Sequence, residues 1–513
     1  MTRTKSLTFL CVLAPILAGL VFFEELYPEN FQENNSASGR ELAKAYCASC
    51  HLFPEPNQLD KTTWENSVLP NMGMRLGIRT NDLDPYKNLD ALDKQITEGL
   101  NIYPKNPTIS QEDWNKIVKY YINEAPEKLP ETEFPKGASL SNLPFTPQFI
   151  NIEESKLPKV SLLKYDTINS QLYIGDFKTL YALNASGEFN GIWKLNGPVS
   201  HIEFQKEANP IISLLGNFGP SDQRLGGLSQ LNSTESSTNA ISLKRLQRPV
   251  YFKTADINMD GSNDVVVCNF GNYTGSLSWY QDYDRSKEHI IKKLPGARKV
   301  EIRDINGDNF PDIVALMAQA YEKIIFFTNN GKGEFKERTI LEFSPLHGAS
   351  YFEFADFNKD GFDDLLVSNG DNWDLSQINK PYHGLRIYLN DGENNFDEKY
   401  FFPMYGCSKA MARDFDNDGD LDIVAASFYS DLSDPRQSFV YLENTGDMLF
   451  NYSFLEEAIY GKWLTMDIGD FNKDSKPDVM LGSYIHNIQE MSKLVINSGT
   501  TTFPQVMLLI NQN

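Results

Sequence analysis

Residues 414–422 read Asp-Phe-Asp-Asn-Asp-Gly-Asp-Leu-Asp and are followed directly by an apolar run at 423–426. The same acidic pattern, again followed by an apolar run, begins at Asp256, Asp304, Asp356 and Asp470. Successive starts of the motif are 48, 52, 58 and 56 residues apart. A unit that recurs every ~50 residues indicates a repeat architecture, so this motif decides the fold of most of the chain.

Each unit also contains a hairpin pattern, such as Ile-Phe-Phe-Thr-Asn-Asn-Gly at 325–331, with counterparts at 387–392 and 440–446. Aromatic and β-branched residues between such turns predict four short strands per unit, which is the pattern of a β-propeller. The units resemble the FG-GAP/VCBS repeats of integrin-type propellers (those of the integrin-alpha N-terminal domain) over nearly all of residues 145–513. This length predicts about seven blades, of which the first two, near 159–195 and 201–243, lack the aspartates.

The end of the chain predicts how the ring closes. Residues 506–511 align with the third strand of the other blades, and a fourth strand does not follow. We expect residues 145–153 to supply that outer strand, because an unpaired sheet edge is a liability.

The acidic motif has the spacing of a calcium loop. Oxygens at positions 1, 3, 5 and 9, with a backbone carbonyl near position 7, can surround one hard cation, and glycine at position 6 permits the tight turn. An EF-hand is excluded because position 12 is apolar and strands flank the loop. The sequence predicts up to five Ca²⁺ ions, with weaker support in the second and fifth loops, where Asn309 and Ser475 replace the glycine. The predicted ligands are Asp256, Asn258, Asp260, Asp264, Asp304, Asn306, Asp308, Asp312, Asp356, Asn358, Asp360, Asp364, Asp414, Asp416, Asp418, Asp422, Asp470, Asn472, Asp474 and Asp478.

A second motif, Cys47-Ala-Ser-Cys50-His51, is the attachment pattern of a c-type haem. Two thiols at this spacing reach the two vinyl groups of the porphyrin, and the next residue places its imidazole under the iron. A zinc site would need a second ligand pair, which the chain lacks. A redox dithiol would follow a strand in a βαβ unit, which this region also lacks. We therefore expect one covalent haem c, held by Cys47 and Cys50, with His51 as an iron ligand.

The sixth iron ligand has to come from residues 64–74, which hold two methionines and no histidine. This stretch resembles the W-x3-V-x3-M segment of small monohaem cytochromes attached to oxidoreductases, which implies Met72 as the ligand. Met74 is the alternative, and a third interpretation is that both methionines only pack at the haem edge. Thioether ligation would leave no open iron position, so such an iron moves electrons and does not bind substrate.

Helical patterns surround the haem motif. Residues 39–46 lead into it, and a second helix starts after Ser110, repeats apolar residues from Trp114 to Ile122 and stops before Pro126. This is the pattern of a small all-α cytochrome c domain. The predicted plan is an anchor at 1–23, a tether at 24–37, the cytochrome domain at 38–129, a linker at 130–144 and an all-β propeller at 145–513.

The first 23 residues predict export. Arg3 and Lys5 precede an apolar run at 7–23, which is long for a signal peptide and just long enough for a membrane span. We favour a retained anchor over a cleaved signal, with the body of the protein in the periplasm or cell envelope. Lipidation at Cys11 is disfavoured because Thr8-Phe-Leu is a poor lipobox.

The composition of the chain argues against two classes of binding partner. A net charge of −22 argues against binding to nucleic acid or to anionic lipid. Cys268 and Cys407 are predicted as buried core thiols, although a bridge between them stays open.

The function has three candidate interpretations. The chain resembles multidomain haem c proteins with VCBS repeats, which favours an electron carrier whose propeller docks a redox partner protein. The alternatives are a haem c-linked dehydrogenase whose channel binds substrate or cofactor, and a binding or adhesion propeller. The residues expected in the channel are Arg298, Lys299, His347, Cys407, Lys409 and Lys462. They either form a pocket for an anionic or oxygen-rich ligand, or plug the channel and offset nearby acids. No catalytic residue, and no oligomeric state, can be assigned from the sequence.

Overall fold

The computed structural model describes residues 37–79, 83–132, 143–152, 157–206, 208–232, 238–371, 375–430, 434 and 437–513. The predicted anchor at 1–23, nearly all of the tether and most of the linker lie outside these residues. Among the helices that the structure describes, none is long and apolar enough to cross a membrane.

The described strands form seven four-stranded antiparallel sheets, which are the seven blades of a propeller. Blade 1 contains β2–β5, at Val160–Asp166, Gln171–Asp176, Thr179–Asn184 and Phe189–Lys194. Blade 2 contains β6–β9, at Val199–Gln205, Ala208–Leu214, Gly226–Leu231 and Thr238–Leu246. Blade 3 contains β10–β13, at Pro249–Ala255, Asp264–Asn269, Ser276–Tyr280 and Glu288–Lys292. Blade 4 contains β14–β17, at Ala297–Arg303, Asp312–Met317, Lys323–Asn329 and Phe335–Glu342.

The last three blades continue the ring. Blade 5 contains β18–β21, at Ala349–Ala355, Asp364–Asn369, Gly384–Asn390 and Phe396–Pro403. Blade 6 contains β22–β25, at Cys407–Arg413, Asp422–Ser427, Phe439–Asn444 and Phe450–Phe454. Blade 7 contains β26–β28, at Trp463–Gly469, Asp478–Ser483 and Val506–Asn511, and β1 at Phe145–Ile150.

The predicted closure of the ring is confirmed. Strand β1 pairs antiparallel with β28, from Phe145 opposite Asn511 to Ile150 opposite Val506. The two ends of the propeller therefore share one blade, which covers the sheet edge that β28 would otherwise expose.

The apolar run after each acidic motif forms the second strand of its blade and is buried along its whole length. Both faces of these strands pack against neighbouring blades, which explains why their residues are continuously apolar rather than alternating. Cys268 in β11 and Cys407 in β22 are fully buried free thiols, as predicted for core residues, and no bridge joins them.

Six α-helices are described. They are α1 at Gly39–Cys47, α2 at Lys61–Thr63, α3 at Leu69–Arg75, α4 at Ala91–Gly99, α5 at Gln111–Glu124 and α6 at Ile488–Ser498. Their starts follow from capping: Ser38 and Glu41 form a capping box on α1, and the side chains of Asp90 and Ser110 accept backbone N–H groups of α4 and α5. A π-helical turn at Trp64–Val68 joins α2 to α3.

Helices α1–α5, called the helical layer below, pack on one face of the propeller. Their apolar cluster, built around Trp64, Trp114 and Tyr121, includes Leu346 and is flanked by Tyr382, both from propeller loops. The helices therefore share a core with the propeller, and a separate all-α cytochrome domain is not shown.

Candidate functional site

The two ends of the blades carry different features. In a four-stranded antiparallel blade, the connections from second to third strand and from fourth to next first strand lie at one end, called the upper face here. The helical layer contacts loops of this kind, whereas the acidic loops join first to second strands and lie on the opposite, lower face. Any cation in those loops is thus separated from the helical layer by the height of the propeller.

The residues of the haem motif line a cavity beneath the helical layer. Helix α1 ends at Cys47, and the turn that follows carries Cys50 and His51; all three line a cavity of about 2200 Å³. The His51 Nδ1–H donates to the carbonyl of Leu52 at 2.9 Å, which leaves Nε2 as the nitrogen that can bind a metal. Burial lowers the pKa of His51, although the hydrogen bond to Leu52 opposes this, and a lowered pKa favours the neutral, metal-binding imidazole.

The two candidate methionines differ in position. Met72 lines the same cavity as Cys47, Cys50 and His51, whereas Met74 is 2% exposed and is not part of the cavity wall. Gly73 lies between them against the Trp114 ring, where an added Cβ would come within 2.9 Å of Cζ2. The sequence analysis missed this need for glycine, which would show only once α3 and α5 were known to cross.

The propeller supplies the opposite wall of the cavity. Tyr103 from the helical layer and Tyr273 from blade 3 join their hydroxyls at 2.9 Å, and the Arg75 guanidinium lies 5.8 and 5.2 Å from their ring centroids. Burial raises the pKa of Tyr321 in blade 4, and the nearby Cys50 thiol adds to this effect. The haem motif therefore faces the propeller directly, an arrangement that the sequence could not give.

Asp93 fastens α4 to blade 2. Its carboxylate accepts hydrogen bonds from the Ser221 hydroxyl at 2.9 Å, the Asp222 backbone N–H at 3.1 Å and the Gln223 amide at 2.9 Å. Asp90 accepts a second bond from the same Gln223 amide at 2.8 Å. On the other side of the layer, the Gln58 carbonyl accepts the Tyr382 hydroxyl at 2.8 Å.

Replacing Asp93 with Ala is expected to loosen the helical layer, because two buried donors on blade 2, the Ser221 hydroxyl and the Asp222 N–H, lose their acceptor. We expect a loss of about 2–3 kcal/mol in the free energy of unfolding and faster proteolysis within residues 83–132. Urea unfolding and limited trypsin digestion measure both effects. Glu98→Ala, an exposed change on the same helix, is the matched control and should leave both unchanged.

Two layers of side chains line the central channel. One layer comes from the third residue, and the other from the fifth residue, of the first strand of each blade. The layer nearer the upper face contains Leu162, His201, Tyr251, Lys299, Tyr351, Lys409 and Thr465. The next layer contains Lys164, Glu203, Lys253, Glu301, Glu353, Met411 and Asp467. The four acids were missed by the sequence analysis, although three of them gave a usable signal: Glu301, Glu353 and Asp467 each lie three residues before the first aspartate of an acidic motif.

The lysines and acids of the channel largely neutralise one another. Lys164 lies 3.1 Å from Asp467, Lys253 lies 3.7 Å from Glu203, and Lys299 lies 2.6 Å from Glu301. These pairs support the interpretation in which cations offset the acids of the channel, over that of an anion pocket within it. Burial lowers the pKa of Lys409 to about 8, and its ammonium donates to a backbone carbonyl.

Three of the six predicted channel residues lie elsewhere. Cys407 is in the core between blades, because the bulge after the first residue of each first strand turns that residue away from the channel. His347 stacks on Tyr382 at 5.1 Å in an upper-face loop. Lys462 is bonded to Glu490 of α6. Arg298, Lys299 and Lys409 do line the cavity that is continuous with the channel.

Glu490 gives the upper face a pH dependence. Burial opposes its ionisation, but hydrogen bonds from His486 and Lys462 hold its pKa at about 2, below the usual 4.5. Because the folded-state pKa is depressed, this stabilisation is complete above pH 4.5 and is lost as the pH falls towards about 2. Glu490→Gln should therefore destabilise the protein by about 2 kcal/mol near neutral pH and by much less in acid, as measured by denaturant unfolding. An equal loss at both pH values would contradict this.

The five acidic loops share one geometry on the lower face. The aspartate at position 9 is fully buried in every loop, and both its oxygens accept backbone N–H groups, as Asp264 does from Ile257 and Asp282. Residues at position 6 all have positive φ, and Asn309 at 65° and Ser475 at 72° match the three glycines. The second and fifth loops thus have the same backbone conformation at position 6 as the others.

The fourth loop differs in its side chains. Oxygens of Asp414, Asp416 and Asp422 lie within 4.8 Å of one another, and burial raises the pKa of Asp422 to about 6. Asp414 Oδ1 is buried without a hydrogen-bond donor among the described residues. In the other four loops the asparagine at position 3 donates to the aspartate at position 5, as Asn258 does to Asp260 at 2.9 Å. Asp418, also predicted as a ligand, is outside the cluster of three carboxylates.

Comparison with known proteins supports the repeats. The family described as FG-GAP-like repeat matches residues 304–367 and 414–481, and these two ranges contain the second, third, fourth and fifth acidic loops. No curated protein matches the chain.

Two solved structures are among those to which this chain is similar. A chain from the S. cerevisiae Dbp5 complex with Nup159 and Gle1 is 12% identical, with 74% of this chain and 97% of that chain covered and a TM-score of 0.40. A calcium-binding protein, regucalcin from Agrobacterium tumefaciens, is 10% identical, with 57% and 92% covered and a TM-score of 0.36. Neither likeness bears on function at these TM-scores. Sheet topology and family match agree that this chain carries FG-GAP-like repeats in a seven-bladed β-propeller.

Proposed function

We propose that this chain is an electron-transfer protein with one covalent haem c beneath its helical layer. The observation that carries the proposal is that Cys47, Cys50, His51 and Met72 line one cavity. Two thiols, an imidazole with Nδ1 already engaged and a thioether form the donor set of a six-coordinate haem c. Such a group supplies reversible one-electron transfer, and the chain holds it through two thioether bonds and two iron ligands.

The surrounding residues suit that role. Trp64, Trp114 and Tyr121 form an apolar wall, which disfavours water near the iron and so raises its reduction potential. Arg75, on the cavity wall one turn beyond Met72, adds positive charge and acts in the same direction. The propeller closes the cavity from below and offers the surface on which a redox partner protein would dock.

Calcium in the five lower-face loops is part of the proposal. The unpartnered Asp414 Oδ1 and the three converging carboxylates fit a hard cation in the fourth loop. The other loops have the same backbone, and the Asn side-chain oxygen at position 3 of each accepts one backbone N–H and keeps a second lone pair for a cation. The sequence further supports export and tethering through residues 1–23.

The continuity of the cavity with the channel favours a second candidate function, that of an oxidoreductase. A small molecule bound on the upper face would lie in the same cavity as the haem motif, so the haem could accept its electrons. This candidate predicts reduction of the isolated protein by a particular small molecule, seen as a change in haem absorption.

Replacing Cys47 and Cys50 with Ala is the test of the haem itself. The wild-type protein should carry haem that survives denaturing electrophoresis and titrates reversibly with one electron. The double variant should lose the covalent stain entirely, because neither thiol of the motif remains to attach the porphyrin. Cys268→Ala, a buried thiol in blade 3, is the control and should keep the stain; wild-type protein without covalent haem would refute the proposal.

A further inference from the structure

Helix α4 turns an apolar face towards the cavity beneath the helical layer. Leu92 and Ile96 lie on this face, and Leu100 follows directly after the helix ends; all three line the cavity. Their spacing of four residues places them on one side of the helix. Leu92 is 50% exposed and Leu100 is 41% exposed. A row of exposed apolar side chains, unlike a single one, indicates a binding surface.

The neighbouring face of α4 is polar and is buried against the propeller. Asp93 is 7% exposed and Thr97 is 2% exposed. Asp93 accepts hydrogen bonds from the Ser221 hydroxyl and the Asp222 N–H of blade 2. A surface helix ordinarily buries its apolar side and leaves its polar side in solvent. Helix α4 does the reverse, so the propeller does not account for its apolar face.

The rest of the helical layer does not account for that face either. Within the described part of the chain, the apolar cluster around Trp64, Trp114 and Tyr121 contains no residue of α4. These three aromatic residues line the same cavity as the apolar face of α4, so the cavity separates the two. Cys47 and Cys50 line it as well. A group attached to their thiols would therefore lie between two apolar walls.

We propose that the apolar face of α4 packs on the porphyrin of the haem c, so that blade 2, through Asp93, positions one wall of the haem site. This inference rests on the proposed electron-transfer function and adds the part that α4 and the propeller play in it. A porphyrin is a flat and largely apolar group, and covering Leu92, Ile96 and Leu100 with it removes apolar surface of both from water. A wall that excludes water from the haem also raises its reduction potential.

Amide hydrogen exchange of the full-length protein tests whether the haem covers α4. In the Cys47→Ala/Cys50→Ala chain, the amides of 95–100 should exchange about tenfold faster or more than in the haem-loaded wild-type protein, because burial of one leucine side chain accounts for at least that factor. The amides of Gln111–Glu124 in α5 should change little, since α5 packs in the cluster that includes Leu346 of the propeller. Equal protection of α4 in the two proteins would overturn the proposal.

Point variants test the same contact in the haem-loaded protein. Leu92→Asn and Ile96→Asn place a polar amide on the cavity wall, so each should lower the reduction potential, because a more polar site stabilises the oxidised iron. Both should keep the covalent stain, since the two thiols remain. Gln95→Asn is the matched control, because Gln95 is exposed on the same helix and lies outside the cavity wall. It should leave the potential unchanged.

The outcomes separate this proposal from the one on which it rests. Wild-type protein without covalent haem would overturn both. Stained protein with the same potential in Leu92→Asn, Ile96→Asn and wild type would overturn only the packing of α4 on the porphyrin, and the face would then serve another apolar molecule or a partner protein. An equal fall in potential in Gln95→Asn would also overturn it, since the effect would then come from the helix as a whole. If fast exchange in α5 shows that the double variant does not fold, the point variants decide.

Discussion

Excess EGTA is expected to lower the melting temperature of the purified protein by about 10 °C or more. The acidic loops join the first and second strands of five consecutive blades, so each fixes the turn between the two inner strands of its blade on the lower face. A cation that binds only the folded loop stabilises it by about 2.7 kcal/mol at a hundredfold excess over its dissociation constant. Five such sites add enough free energy for a large shift even in a big propeller.

The carboxylates explain why the loss should be large. In the fourth loop, Asp414, Asp416 and Asp422 converge, and burial raises the pKa of Asp422 to about 6. Removing the cation leaves these like charges close together and partly buried. Their mutual repulsion then destabilises the folded state, in addition to the loss of the cation's binding free energy.

Controls separate calcium from general ionic effects. Adding calcium back should restore the melting temperature, whereas the same concentration of magnesium should restore little, because Mg²⁺ requires a rigid octahedral site. Asp414→Asn should reduce the EGTA effect, and Asp397→Asn, an exposed change on β21, should leave it intact. A melting curve that EGTA does not change would refute the calcium proposal.

The repeat signal predicted the propeller because it is local and periodic. Each acidic motif and apolar run lies within one blade, so the blade order follows the chain. The closure of β1 on β28 was also predictable, since residues 506–511 lack a following strand and residues 145–153 are left over. Few segments of one sequence could supply a missing fourth strand.

The contacts of the upper face were not predictable, because they are neither local in sequence nor periodic. Asp93 meets Ser221 and its two neighbours across more than a hundred residues, and neither segment carries a repeat pattern. Cys407 lies away from the channel because a one-residue bulge reverses the direction of its side chain. No residue pattern in the sequence marks that bulge. Contacts of these two kinds become visible only in three dimensions.

Met72→Ala is expected to change the haem, whereas Met74→Ala is expected to change the stability of the protein. Met72 lines the cavity with His51, so its loss should remove the thioether ligand, lower the reduction potential and open an iron position to carbon monoxide. Met74 is 2% exposed in the core of the helical layer, so its loss should cost about 2–5 kcal/mol of stability and leave the potential unchanged.

Redox titration, carbon monoxide difference spectra of the reduced protein and urea unfolding measure the two variants side by side. The pair is matched, because both changes remove the same atoms from α3 two residues apart. If carbon monoxide binds to the Met74→Ala protein and not to Met72→Ala, Met74 is the ligand and the assignment from the cavity is wrong. If it binds to neither variant and neither potential moves, the methionines only pack at the haem edge, and the sixth ligand must come from another part of the chain.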